Sequence, residues 1–127
     1  MLLEKKAIAE VISFPKPDFI HSDDRGSLKQ LVNSGWNQIN VITSLADSFR
    51  GNHYHKNNRE MFYIISGKFK LILEKNGQIF SFLIEADDFF IIEPYVIHSF
   101  EYIEDTTLIA AYDNGVVEGN SMDIYTK

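Results

Sequence analysis

Short apolar runs rich in Ile, Val, Phe, Tyr and Leu recur along the chain between turn-forming residues, and long helical patterns are missing. That alternation predicts an all-β protein of the sandwich or barrel kind. The runs predict strands over Ala7–Phe14, Ser27–Val32, Gln38–Thr43, Phe49–His55, Glu60–Ser66, Lys68–Glu74, Gln78–Ile84, Phe89–Ile92, His98–Ile103 and Thr107–Tyr112. Asn76-Gly77 tolerates positive φ and marks a tight hairpin turn, Ser66-Gly67 lets the chain change direction, and Asp113-Asn114-Gly115 is a further breaker. Met61-Phe62-Tyr63-Ile64-Ile65 and Phe89-Phe90-Ile91-Ile92 are apolar at both parities, so each strand is expected to be covered on both faces. A second sheet of the same chain could supply the cover; a partner subunit is the preferred expectation, which predicts a homodimer.

At 127 residues the chain has room for one domain and is long enough to bury a core without disulfide or structural metal. The prolines do not divide it and no repeat appears, so residues 1–127 are expected to form a single unit. With no cysteine, thiolate metal sites and thiol nucleophiles are excluded, and His, Asp, Glu and backbone oxygen remain as ligands. The 12 basic and 18 acidic side chains give a formal charge of −6, which argues against nucleic acid or an anionic membrane as partner. Met1-Leu2-Leu3-Glu4-Lys5-Lys6 places charges where a signal peptide needs apolar residues, and no later stretch is apolar for the length of a span. A soluble, cytoplasmic protein is expected.

Two of the four histidines stand one residue apart in Arg50-Gly51-Asn52-His53-Tyr54-His55. On a strand, side chains alternate faces, so His53 and His55 project to the same side and can converge on one ion, while Tyr54 points away. A polar turn, Lys56-Asn57-Asn58-Arg59, leads to Glu60, expected beside the imidazoles on the antiparallel neighbour. His98, after Pro94-Tyr95-Val96-Ile97, can supply a fourth ligand. Three imidazoles and a carboxylate suit a divalent ion such as zinc, iron, manganese, nickel or copper, and leave positions open for water or substrate. His21 is expected on the surface.

The sequence resembles the cupin superfamily, whose first motif is matched by Gly51, His53, His55, Glu60 and Gly67. The second motif is matched more loosely by Asp87-Asp88, Glu93-Pro94-Tyr95 and His98, with Asp88 and Tyr95 where glycines are usual. The resemblance implies a single cupin barrel, the double-stranded β-helix or jelly roll. Over about Ile20 to Asp113, Asp23-Asp24-Arg25-Gly26-Ser27-Leu28, Arg50-Gly51-Asn52-His53-Tyr54-His55, Glu60-Met61-Phe62 and Ser66-Gly67-Lys68 look like cupins of sugar-nucleotide metabolism. These are the dTDP-sugar 3,4-ketoisomerases, the dTDP-4-dehydrorhamnose 3,5-epimerases and the cupin domains of capsule-polysaccharide epimerase-reductases. The resemblance implies proton transfer beside a keto group of a nucleotide-linked hexose in surface-polysaccharide synthesis, with Arg25 and Arg50 binding diphosphate or sugar oxygens.

Two chemistries use the same atoms. In metal-free relatives a histidine matching His53 or His55 is a general base, which requires a free ring nitrogen. Because this chain keeps both histidines and Glu60, a bound ion that polarises the carbonyl is preferred, and another group must then move the proton. Tyr102, Tyr112 and Tyr63 are candidates; Tyr102 shares the parity of His98 and so is expected to face the cavity. The ketoisomerases carry a tyrosine on the strand that here reads Asn40-Val41-Ile42-Thr43. A non-catalytic sugar- or small-ligand-binding cupin, and an oxygenase or lyase acting on a small acid, are the alternative readings.

Overall fold

The computed structural model describes residues 1–118 and 121–127. Its strands are β1 (Ile12–Ser13), β2 (Phe19–Asp23), β3 (Gly26–Gln30), β4 (Gln38–Ser44), β5 (Phe49–Tyr54), β6 (Glu60–Ser66) and β7 (Lys68–Lys75). They are followed by β8 (Gln78–Glu85), β9 (Phe89–Ile92), β10 (Ile97–Tyr102), β11 (Thr106–Tyr112), β12 (Val117–Glu118), β13 (Ser121–Met122) and β14 (Tyr125–Thr126). Two five-stranded antiparallel sheets, in the orders β1-β9-β6-β11-β4 and β14-β5-β10-β7-β8, make the cupin jelly roll. Among the described residues no helix is long and apolar enough to cross a membrane.

The core follows from strand periodicity. In β7 the buried residues Phe69, Leu71 and Leu73 alternate with half-buried Lys68, Lys70 and Ile72. From the facing sheet, Phe62, Ile64, Phe90 and Leu108 meet them in one apolar cluster. The Phe62 and Phe90 rings stack at 4.9 Å, and Phe62 lies 5.5 Å from Phe100, which joins the two sheets. The β7–β8 turn is the expected one: Asn76 and Gly77 take φ of 52° and 79°, and Lys75 pairs with Gln78.

Two expectations are corrected. The run Ala7–Phe14 yields only the two-residue β1, because the chain turns on itself between Ile8 and Ile12, with Glu10 at a φ of 64°. Phe19–Asp23 forms a strand that sequence reasoning missed, and it pairs with β3 in a hairpin whose residues are all exposed, tied to the barrel where Lys29 donates to Asp87. The cover over the both-parity strands is partly the chain's own. Leu31, Val32 and Trp36 pack on the outward Met61, Phe89, Ile91 and Ala111. Beyond that cover, Ile39 and Val41 on the edge strand β4 stay 69% and 70% exposed.

Candidate metal centre and its cavity

The site is assembled by the pairing of β5 with β10, in which His53 faces His98, and by the glycine that brings these strands together. A Cβ on Gly51 would sit 2.5 Å from the His98 carbonyl oxygen and 2.8 Å from Ser99 Cα, at a φ of +111° that favours glycine. The register shifts between His98 and Ser99, a bulge that turns the ladder at the site. His55 follows β5 on the same side as His53, and the ring centroids lie 5.4 Å (His53–His55), 4.5 Å (His53–His98) and 5.1 Å (His55–His98) apart. One ligand nitrogen from each ring lies within 4.8 Å of the others. Tyr54 points outward, as alternation requires, and stacks between Tyr95 and Tyr125.

Glu60 reaches the cluster from a different direction than expected. It opens β6, which belongs to the opposite sheet and is no neighbour of β5, so the carboxylate arrives across the barrel. Its Oε1 lies 3.1 Å from His55 Nε2 and 3.4 Å from His98 Nε2. Tyr112, from β11, lines the cavity beside Glu60 and lays its ring against His55 at 5.1 Å. Burial and Glu60 together push the Tyr112 hydroxyl far above the usual phenol range, so it stays protonated as a donor.

Two of the imidazoles rest Nδ1 on a backbone carbonyl, His55 on Asp123 at 2.7 Å and His98 on Val96 at 3.1 Å. A carbonyl only accepts, so those nitrogens carry hydrogen and the second nitrogen of each ring faces the cluster, that of His98 without a partner and that of His55 3.1 Å from Glu60 Oε1. Burial drives His98 down to about 4, and burial with the nearby His55 lowers His53. Burial also opposes charge on His55, but Glu60 and the Asp123 carbonyl outweigh it and raise that group.

These residues fit a divalent ion. His98 Nε2 is fully buried without a hydrogen-bond partner and is aimed at Glu60 and the other rings. Such an orphan costs about 1–3 kcal/mol unless something binds it. Ligand atoms at about 2.1 Å from zinc lie about 3–4 Å from one another, so the cluster closes on an ion with small side-chain shifts.

The centre opens into a cavity of about 440 Å³, within the size range of small-molecule sites. His53, Glu60, His98 and Tyr112 line its polar end, with Phe62, Phe100 and Leu108 as apolar wall. Tyr102 lines it too, on the side of β10 that carries His98, with its hydroxyl beside Ser44. Burial raises the Tyr102 hydroxyl above its usual range. Arg50 stands at the same wall, with Nε on Ser44 Oγ at 2.8 Å and Nη2 on the Thr43 carbonyl at 3.2 Å. Arg25 is not brought here. It sits at the tip of the β2–β3 hairpin, 85% exposed at its side chain, and pairs with Asp23 at 2.7 Å. His21 is on the same exposed hairpin, and Tyr63 points outward, bonded to Asp87.

In the second motif the missing glycines leave their conformation behind: Tyr95 has a φ of 67° and Asp87, one residue before the expected position, a φ of 72°. The strained Tyr95 donates its N–H to the His55 carbonyl at 2.7 Å, which steadies the ligand's backbone. Sequence reasoning missed Asp123 altogether. Its signal was weak, because Ser121-Met122-Asp123-Ile124-Tyr125 has neither a long apolar run nor a turn marker.

No curated protein matches this chain. Among solved structures it is similar to a 3,4-ketoisomerase from Helicobacter canadensis, at 18% identity and a TM-score of 0.77, covering 91% of this chain and 90% of that one. It is similar to the sugar 3,4-ketoisomerase QdtA from Thermoanaerobacterium thermosaccharolyticum, solved in complex with TDP, at 17% identity and a TM-score of 0.77, covering 94% and 90%. The capsular polysaccharide assembling protein CapF from Staphylococcus aureus matches at 23% identity and a TM-score of 0.65, over 85% of this chain but 33% of its own. At these identities the likeness is one of fold. A sequence model of one family matches residues 21–125, nearly the whole chain, and by that match the protein belongs to the polysaccharide biosynthesis C-terminal domain family.

Proposed function

We propose that the protein is a metal-dependent isomerase or epimerase of a keto-sugar nucleotide, acting by proton transfer next to a carbonyl in surface-polysaccharide synthesis. One observation carries the reading: three imidazoles and Glu60 converge at the polar end of a cavity whose wall also offers Tyr102 and Arg50. The fold likeness to 3,4-ketoisomerases, one of them holding TDP, and the polysaccharide family support the substrate class.

His53, His55, His98 and Glu60 would hold the ion, which when bound supplies Lewis-acid polarisation of the substrate carbonyl. Arg50, steadied by Ser44 and Thr43, presents its remaining N–H donors to sugar or diphosphate oxygens. Tyr102 moves the proton at its hydroxyl, with Ser44 and Arg50 behind it to favour the transient phenolate. The apolar wall of Phe62, Phe100 and Leu108 keeps bulk water from that exchange. Were the site to work without an ion, His53 would be the base, since it is the half-buried ring at the cavity and one of its nitrogens stays free.

A homodimer is part of the same proposal. The uncovered Ile39 and Val41 face and the apolar Phe19, Ile20 and Leu28 of the exposed hairpin are two unsatisfied surfaces on one chain, and a second copy meets both reciprocally. Incubation of the zinc-loaded protein with a panel of 4-keto sugar nucleotides in deuterium oxide tests the activity. Uptake of deuterium beside the carbonyl is expected; saturable binding without uptake would reduce the protein to a sugar-nucleotide binder, and oxygen consumption with iron would point to oxidative chemistry.

A further inference from the structure

The segment around Asp123 and β14 touches the metal centre from outside the barrel strands that carry it. Asp123 is buried and its carboxylate takes three donors: Lys56 N at 2.9 Å, Asn57 N at 2.8 Å and Asn58 Nδ2 at 2.8 Å. Those donors are the link between β5 and β6, so one side chain fixes the spacing between the His55 and Glu60 ends of the site. The same residue's carbonyl accepts from His55 Nδ1 at 2.7 Å, and its N–H donates to Val116 at 2.8 Å. Beyond it, β14 pairs with β5, placing Tyr125 opposite Tyr54 and Thr126 opposite His53. Tyr125 stacks on Tyr54 at 5.5 Å, and the Lys56 ammonium lies 4.2 Å from the Tyr125 ring centre.

From this we infer that the segment from Asp123 to Thr126 is a positioning strap for the metal centre, and that Asp123 is the residue through which it acts on His55. The inference rests on the metal reading above. The logic is geometric. An imidazole turns about two side-chain bonds, and only a partner for Nδ1 keeps Nε2 aimed at the cluster. The carbonyl is that partner, and it holds the ring only as firmly as its own residue is held. The three donors to the carboxylate are the anchor, and buried charge with three donors is held far more firmly than a surface tail. A segment that needed only to be tied down would be served by the β14 ladder and the tyrosine stack.

The full chain tests this as Asp123→Ala and Asp123→Asn, the latter keeping an oxygen for the loop donors. Two quantities are measured: zinc affinity, by competition with a chromophoric chelator, and the His55 Nδ1 proton in protein labelled with nitrogen-15. The unaltered chain is expected to show that ring proton exchanging slowly with water. Asp123→Ala should lose it and bind zinc about 10- to 100-fold more weakly, while the amide spectrum of β6, β9 and β11 stays put; Asp123→Asn should recover part of both. An Asp123→Ala protein that keeps the slow proton and binds zinc within twofold overturns the strap. If Asp123→Ala does not fold, Asp123→Asn is compared with the unaltered chain: a ring proton that exchanges faster and zinc bound more weakly support the strap, and a variant equal to the unaltered chain in both overturns it. Should the unaltered chain take up no zinc, the metal reading fails by itself, and the ring proton still decides whether Asp123 positions His55.

Discussion

His53 and His98 stand directly opposite each other in the β5–β10 ladder with ring centroids 4.5 Å apart, and Gly51 is the residue that lets their strands approach. Distant in sequence, the two rings become neighbours because a ladder joins them, and the ladder is close because position 51 has no side chain.

Gly51→Ala therefore meets two penalties. A φ of +111° is strained for alanine, which costs about 1–3 kcal/mol, and the new methyl falls 2.5 Å from a backbone oxygen that cannot move without shifting His98. Denaturant unfolding is expected to show that loss, and zinc uptake to fall with it. Gly35→Ala is the control: its φ is +89° but nothing lies within 4 Å, so it should weaken the fold while leaving zinc uptake unchanged.

A second expectation concerns the orphaned nitrogen. His98 Nε2 is buried without a partner, and burial already holds the ring near a pKa of about 4, so it is neutral at working pH. Without an ion it is a cost of about 1–3 kcal/mol. His98→Leu, similar in bulk, should leave the chelator-treated protein no less stable in a thermal melt. Zinc at 100 times its dissociation constant should add about 2.7 kcal/mol to the unaltered chain and nothing to the variant. A variant that zinc still stabilises equally would remove His98 from the ligand set.

Much of this site was legible in the chain because strand alternation is a strict rule. It put His53 and His55 on one side, Tyr54 on the other, and Tyr102 on the side of His98. The position of Glu60 was not legible. Four polar residues after His55 look like a hairpin turn, but here Asn58 and Asp123 hold the link as a crossing from one sheet to the other. Nothing local distinguishes the two outcomes, since the deciding contact comes from the far end of the chain. The hairpin of β2 and β3 was half missed for a related reason: all of its residues are exposed, so no burial imprints a period on them. Arg25 shared a motif with relatives in sequence and still lies outside the cavity, because motif order does not say which way an exposed turn projects.

Tyr102→Phe isolates proton transfer from structure. The ring keeps its neighbours, Phe69 at 5.3 Å and Phe100 at 6.2 Å, and only the hydroxyl beside Ser44 is removed. Zinc content and melting should stay as they were. Deuterium uptake into the keto-sugar nucleotide should fall by about 10²- to 10⁴-fold, the range for a lost general acid–base group, with KM little changed. Unchanged uptake would move the role to another group, and His53→Asn in the metal-free protein would then be the decisive variant.

The last expectation concerns the apolar strip on β4. Ile39 and Val41 project outward two residues apart on the last strand of its sheet, so both side chains and the unpaired backbone edge face solvent in a single chain. A long apolar edge left open is an aggregation hazard, and a two-fold partner covers it while offering its own strip in return. Burying a side chain of this kind contributes about 1.5–3 kcal/mol, and two-fold symmetry presents each position twice, so Val41→Asp acts on both copies at once. Sedimentation velocity should give the mass of two chains for the unaltered protein and of one chain for Val41→Asp, with zinc content retained because Val41 points away from the cavity. A one-chain mass for the unaltered protein at working concentration would dispose of the dimer and leave the strip without a partner of its own kind.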